Sequence, residues 1–137
     1  MRNLKFRAFV DTYSHWHMTT DMAINADGSF FHKGLNSKKY PEWKLMQFTG
    51  SFDVNGTEIY EGDIVRVFVP TDPEMPEYVS HVFDYYGAFT VECKGMDIYT
   101  DYFVLGWLEE YEFEVIGNIY ENPEIEMPYN QWEAIIR

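Results

Sequence analysis

The chain has 137 residues and a mass of 16.3 kDa, with 10 Lys/Arg against 23 Asp/Glu and a net charge of −13. A chain of this length suits one domain, or a main domain with a small appendage, and buries roughly two-thirds of its unfolded surface without help from disulfides or metal. Its lone Cys93 excludes an intrachain disulfide and fits a reducing compartment, charges at Arg2, Lys5 and Arg7 break any signal-peptide core, and no apolar run approaches the ~18 residues of a membrane span.

Residues 4–10 alternate, with Lys5 and Arg7 on one face and Leu4, Phe6 and Ala8 on the other, which predicts a strand with one wet face. Tyr13–Met18 and Ser29–His32 follow as short strands around the turn sequence Asn25-Ala26-Asp27-Gly28, completing a meander over residues 4–32. Residues 33–42 lack periodicity and read as a connecting loop. Trp43–Thr49 and Thr57–Tyr60 read as strands joined through Asn55-Gly56, with Gly56 at positive φ in a two-residue turn.

Ile64–Val69 is the clearest strand, with Val65, Val67 and Val69 on one face. Pro70, Pro73 and Pro76 end it in an acidic loop. Tyr78–Asp84 and Ala88–Cys93 predict a hairpin around Tyr85-Tyr86-Gly87. Residues 97–110 fit either a helical stripe or a strand at Phe103-Val104-Leu105. Glu112–Tyr120 reads as a last strand with a bulge at Gly117. Asn122-Pro123-Glu124 has the order of a helix start, predicting a short terminal helix that restarts after Pro128 through Asn130–Ile136. Alternation places Val65, Val67, Phe89, Val115 and Ile119 in one core. Many short strands and tight turns, with 26 aromatic residues, predict a mainly β protein, a small barrel or sandwich.

Several segments are also distinctive together. Leu45-Met46-Gln47-Phe48-Thr49-Gly50, followed by Asn55-Gly56-Thr57-Glu58-Ile59-Tyr60-Glu61-Gly62-Asp63-Ile64-Val65, resembles the hallmark of the YopX family of phage and prophage proteins. Lys5–Phe9 resembles that family's first strand, with Phe9 where Trp is usual. Gly87-Ala88-Phe89 and the run Glu114–Glu124 resemble its internal and C-terminal elements. The resemblance implies a phage gene product acting in the bacterial cytoplasm. It also implies an SH3-like barrel over 43–137 preceded by an N-terminal β region over 1–42. It brings no assigned activity.

The chemistry-bearing residues form no complete set. His15-Trp16-His17 has the i, i+2 spacing that puts two imidazoles on one strand face, with Asp11, Asp21 or His32 as possible third ligands. The simpler reading packs Trp16 inward and leaves both histidines in water, and no metal is expected. Cys93 would need an activating base such as His81, and no orienting partner is evident. Glu109, Glu110, Glu112, Glu114, Glu121, Glu124 and Glu126 read as a solvated face rather than a carboxylate pair. No catalytic residue, cofactor or enzymatic activity is expected.

The charge is lopsided. Residues 1–66 are balanced, whereas residues 67–137 hold only Lys94 and Arg137 against fifteen acids. Nucleic acid and anionic membranes should be repelled. The leading expectation is a protein-binding module contacting a host or phage protein; the alternative is an acidic DNA mimic with an anti-defence or regulatory role. Spread over half the surface, the excess charge is one per ~290 Å², about threefold more dilute than duplex DNA. Self-association as a homo-oligomer is also expected, through Tyr99–Trp107 or the tail Tyr129–Ile136.

Overall fold

The computed structural model describes residues 4–13 and 15–125. The predicted alternation at the start produces β1 (Phe6–Thr12), which buries Ala8, Val10 and Thr12 on one face. β2 (His15–Thr19) turns back along it, setting Trp16 opposite Asp11 and His17 opposite Val10. β3 (Ala23–Ile24), β4 (Phe30–His32) and β5 (Leu35–Asn36) make a separate three-stranded sheet. A 3₁₀ turn at Ser37–Lys39 follows, capped by the Asn36 side chain, which accepts from the Lys38 amide at 3.1 Å. The segment expected to be a plain connection over 33–42 thus carries a short strand and a helical turn.

β6 (Lys44–Phe52) pairs with β1 on one side and with β7 (Glu58–Tyr60) on the other, in a sheet of order β2-β1-β6-β7. The segments on either side of residue 42 therefore share a sheet. Gly56 has a φ of +83°, as its turn sequence predicts, but Asn55 is not at positive φ, which a type I′ turn would need at both central positions. The Asp53 amide donates to the Thr57 carbonyl at 2.8 Å and the Gly56 amide to the Asp53 carbonyl at 3.0 Å. These bonds define a three-residue loop rather than the two-residue one expected.

β8 (Asp63–Phe68) pairs with β9 (Tyr78–His81). The strand predicted over Tyr78–Asp84 breaks at Val82, and β10 (Phe83–Tyr85) belongs to another sheet. Both backbone groups of Val82 are taken by the turn before β8. Its amide donates to Asp63 O and its carbonyl accepts from Gly62 N, each at 2.8 Å. β11 (Ala88–Glu92) and β12 (Tyr102–Val104) complete that sheet, so the ambiguous stretch 97–110 contributes a strand. β13 (Glu112–Asn118) lies along β8 on the side away from β9.

The register of β13 shifts between Val115 and Gly117, the predicted bulge. The bulge reverses the alternation, so that Phe113 is buried before it and Asn118 after it. Uninterrupted alternation predicts Ile119 in the core. Of the five expected core residues, Val65 and Val67 are fully buried and Phe89 and Val115 pack against them, while Ile119 is half-buried outside that cluster. Residues 122–125 form turns instead of the helix expected at Asn122-Pro123-Glu124. Asn122 is used to close the strand: its Oδ1 accepts from Asn118 N at 3.1 Å. A Cβ on Gly117 would lie 2.6 Å from that same oxygen, which is why glycine stands there. The helix predicted through Asn130–Ile136 lies outside the described residues.

The protein is mainly β, and the described residues contain no α-helix. Two apolar clusters hold it together. One comprises Ala8, Val10, Phe30 and Trp43. The other joins Ile59, Val65, Val67, Val82, Val91, Cys93 and Phe113.

Candidate functional site

The face of β1 opposite Ala8 and Val10 was expected to be wet, yet most of it is covered. Arg7 donates through Nη2 to Asp63 Oδ1 at 2.6 Å, and its guanidinium lies 4.6 Å above the Tyr60 ring. Asp63 also accepts from the Tyr60 amide at 2.7 Å. Burial raises the Asp63 carboxyl above its ordinary pKa, with Arg7 and the Tyr60 amide opposing that shift. This buried pair ties β1 to the start of β8.

Two residues further along the same face, Phe9 forms the middle ring of a three-ring stack. Trp16 lies 5.2 Å away at an interplanar angle of 20°, and Tyr120 lies 5.5 Å away at 22°. Strand pairing supplies Trp16, since Phe9 opposes Met18 and Asp11 opposes Trp16, making Phe9 and Trp16 diagonal neighbours on one face. Tyr120 arrives from the turn after β13. Asn118 Oδ1 accepts from the Tyr120 and Glu121 amides at 3.1 and 2.8 Å, and the Ile119 amide donates to Gly62 O at 2.9 Å. The three rings, with Glu42 and Lys44, line a cleft of about 370 Å³. Trp16 remains 42% exposed at its mouth. Burial holds the Tyr120 phenol above its ordinary pKa, aided by Glu61 and opposed by Arg7.

Such a slot can stack planar or apolar groups and can offer one positive and one negative side chain at its rim. It contains no nucleophile with a base beside it. The sequence hides it because Phe9 and Trp16 meet only through the β1–β2 register and Tyr120 lies more than a hundred residues further along the chain. The one available signal was Phe9 itself, the position where the family resemblance calls for Trp.

The fold keeps most of the remaining chemistry-bearing residues apart from the slot. Trp16 does not pack inward but faces the slot. On the other face of β2, the His15 and His17 rings lie 5.7 Å apart, and His17 lies 5.5 Å from His32. Both His17 and His32 turn Nδ1 toward a backbone carbonyl, of His15 at 3.2 Å and Asp21 at 2.7 Å. Asp21 offers its carbonyl here rather than its carboxylate, and Asp11 points to the slot face. Among the described residues, no three His, Cys, Asp or Glu side chains converge as a metal site. Cys93 is fully buried, and burial pushes its thiol up to about 12. Burial also lowers the pKa of His81, whose ring packs on Phe83.

Of the glutamates, Glu114 pairs with Arg66 at 3.2 Å, and Glu121 accepts from Asn118 Nδ2 at 2.8 Å. Glu109, Glu110, Glu112 and Glu124 are exposed, and Glu126 lies outside the described residues. No helix among the described residues is long and apolar enough to cross a membrane.

Comparison with known proteins agrees with this architecture. A curated relative, the SPbeta prophage-derived uncharacterized protein YopX of Bacillus subtilis (strain 168), is 33% identical over 72 residues. That alignment covers 53% of this chain and 52% of the relative, about half the length of each. The crystal structure of protein yopX from Bacillus subtilis superposes with a TM-score of 0.63 at 24% identity, covering 92% of this chain and 99% of that one. Protein EF1440 from Enterococcus faecalis superposes with a TM-score of 0.57 at 25% identity, covering 90% and 98%. The model of the family described as YopX protein matches residues 5–125, and the chain belongs to that family.

Proposed function

We propose that this protein is a non-enzymatic binding module, a phage accessory protein that engages a host or phage protein in the bacterial cytoplasm. The observation that carries this reading is the slot formed by Phe9, Trp16 and Tyr120, a concave aromatic surface whose outermost ring stays exposed. Contiguous exposed apolar surface rimmed by polar residues marks interaction sites, and Trp and Tyr are among the residues that most often dominate binding energy at interfaces. The prophage origin of the uncharacterized relative from Bacillus subtilis fits an accessory role.

The DNA-mimic alternative has weaker support, because the excess charge, spread over half the surface, is about threefold more dilute than that of duplex DNA. Self-association is the further expectation, and Tyr99 and Trp107 stand 89% and 78% exposed. The tail also expected to contribute lies outside the described residues. The test is affinity capture from phage-infected cells with the wild type and with Trp16→Ala. A protein retained by the wild type and lost with Trp16→Ala supports the reading; an identical set of captured proteins from both sinks it.

A further inference from the structure

A second aromatic surface lies on the β10-β11-β12 sheet, built from residues unconnected with the slot. Its rings come from the two edge strands. Tyr85 on β10 and Tyr102 on β12 stack with centroids 4.6 Å apart at 10°, and Phe83 meets both edge-on at 6.2 and 6.0 Å. The register places Ala88 opposite Tyr85 and Thr90 opposite Phe83, so the middle strand is lined with small residues where the rings from either side meet. Tyr85 and Tyr102 each keep about two-fifths of their surface exposed, at 41% and 40%.

The hairpin tip beside this platform is costly as built. Tyr85 pairs with Ala88, so Tyr86-Gly87 is a two-residue loop, and both residues have positive φ, +51° and +83°. That is the type I′ turn, for which Asn-Gly is the preferred sequence. A bulky tyrosine in the left-handed region is a conformational outlier. Tyr86 recovers nothing by packing in a core, because it is 93% exposed. Among the described residues its ring meets Tyr85, edge-on at 4.7 Å. Strain held at an exposed position is a mark of functional surfaces.

The electrostatic setting defines the partner. The register sets Glu92 opposite Tyr102, and Glu92 foremost, then burial, Tyr85 and Asp101, hold the Tyr102 phenol above its ordinary pKa, with Lys94 opposing them. The surface belongs to the half of the chain that carries the whole net charge of −13. An aromatic platform edged by carboxylates attracts a cation that can stack on a ring and pair at its rim, and the planar guanidinium of arginine does both. A second copy would bring the same negative rim, and nucleic acid would be repelled.

We infer that Tyr85, Tyr86 and Tyr102 form a docking surface for an arginine-bearing segment of a partner protein. This surface is independent of the slot, so either reading can fail alone. The probe is N-acetyl-arginine amide, titrated at millimolar concentration into the full-length ¹⁵N-labelled protein, with the uncharged citrulline analogue as control. The expected result is saturable shifts at Tyr85, Tyr86, Gly87 and Tyr102 for arginine, weakened by salt, with at least a threefold weaker response to citrulline.

Tyr86→Asn suits the turn better than the native residue, so it tests the contact without threatening the fold. It should weaken arginine binding at least threefold. Trp16→Ala should leave this binding unchanged. Three results would overturn the inference: an equal response to citrulline, shifts confined to the exposed acids around Glu109–Glu112, or unchanged affinity in Tyr86→Asn.

Discussion

Removing Asp53 should damage the fold well beyond the size of its side chain. It is 7% exposed, and its carboxylate gathers three backbone amides: Oδ1 accepts from Asn55 at 2.9 Å and Thr57 at 2.8 Å, and Oδ2 accepts from Val115 at 2.9 Å. The adjacent Val54 amide donates to Phe113 O at 2.8 Å, so the β6–β7 loop is pinned to β13 just before its bulge. Burial by itself would raise the Asp53 carboxyl, but the amides of Val115, Thr57 and Asn55 outweigh it and hold the pKa below the ordinary value.

A hydrogen bond to a charged group contributes about 1.5–3 kcal/mol. In Asp53→Ala the two turn amides can turn to water, whereas Val115 N lies under the loop and cannot easily do so. The expected loss is about 3 kcal/mol. Asp53→Asn keeps one acceptor but sets an NH₂ group against the third amide, for an intermediate loss of about 1–2 kcal/mol. Urea unfolding followed by circular dichroism measures both. Because the folded pKa is depressed, the carboxylate's contribution is complete above about pH 4 and is lost as pH falls through the folded value. Stability below pH 4 should therefore fall less steeply in Asp53→Asn than in the wild type. A loss below about 0.5 kcal/mol in Asp53→Ala would refute the pinning role.

Other expectations follow from single residues. Gly56→Ala meets nothing within 4 Å of its new Cβ, so its cost should be conformational strain alone, about 1 kcal/mol by urea titration. Gly117→Ala must displace the Asn122 side chain and should cost more, about 1–3 kcal/mol in the same titration. Tyr86→Asn should raise stability by about 0.5–1 kcal/mol, because asparagine tolerates the left-handed turn. Cys93 should resist Ellman's reagent in the folded protein and react once urea unfolds it. Light scattering should find an oligomer that strengthens with salt, and a monomer of 16.3 kDa at low and high salt would contradict self-association.

Local sequence chemistry made much of the fold legible. β1 and β8 follow from alternation, β11 from the hairpin around Tyr85-Tyr86-Gly87, the left-handed Gly56 from its turn sequence, and the bulge from Gly117. The errors arose where tertiary partners reset a local pattern. The bulge reversed the phase of β13, which local alternation carried straight through to Ile119. Val82 gave both its backbone groups to the turn at Gly62-Asp63, splitting an apparent strand between two sheets. Asn122 looks like a helix cap, but it bonds backward to Asn118 and closes the preceding strand.

The slot was less legible still. Its rings come from β1, β2 and the turn after β13; strand pairing joins Phe9 and Trp16, and turn hydrogen bonds bring Tyr120. The platform has a partial local signal in Tyr85-Tyr86-Gly87, where a tyrosine precedes the glycine of a type I′ turn. Its stacking partner, Tyr102, lies in the stretch whose structure the sequence left open between helix and strand.

The most direct test of the binding account is isothermal titration of the captured partner into wild-type protein and into Trp16→Ala, with circular dichroism confirming that the variant keeps its sheet content. If the aromatic slot is the principal contact, truncating its exposed ring should weaken binding at least tenfold, about 1.4 kcal/mol, the scale of an interface hot spot. A partner that binds the folded Trp16→Ala variant with unchanged affinity would contradict the central claim.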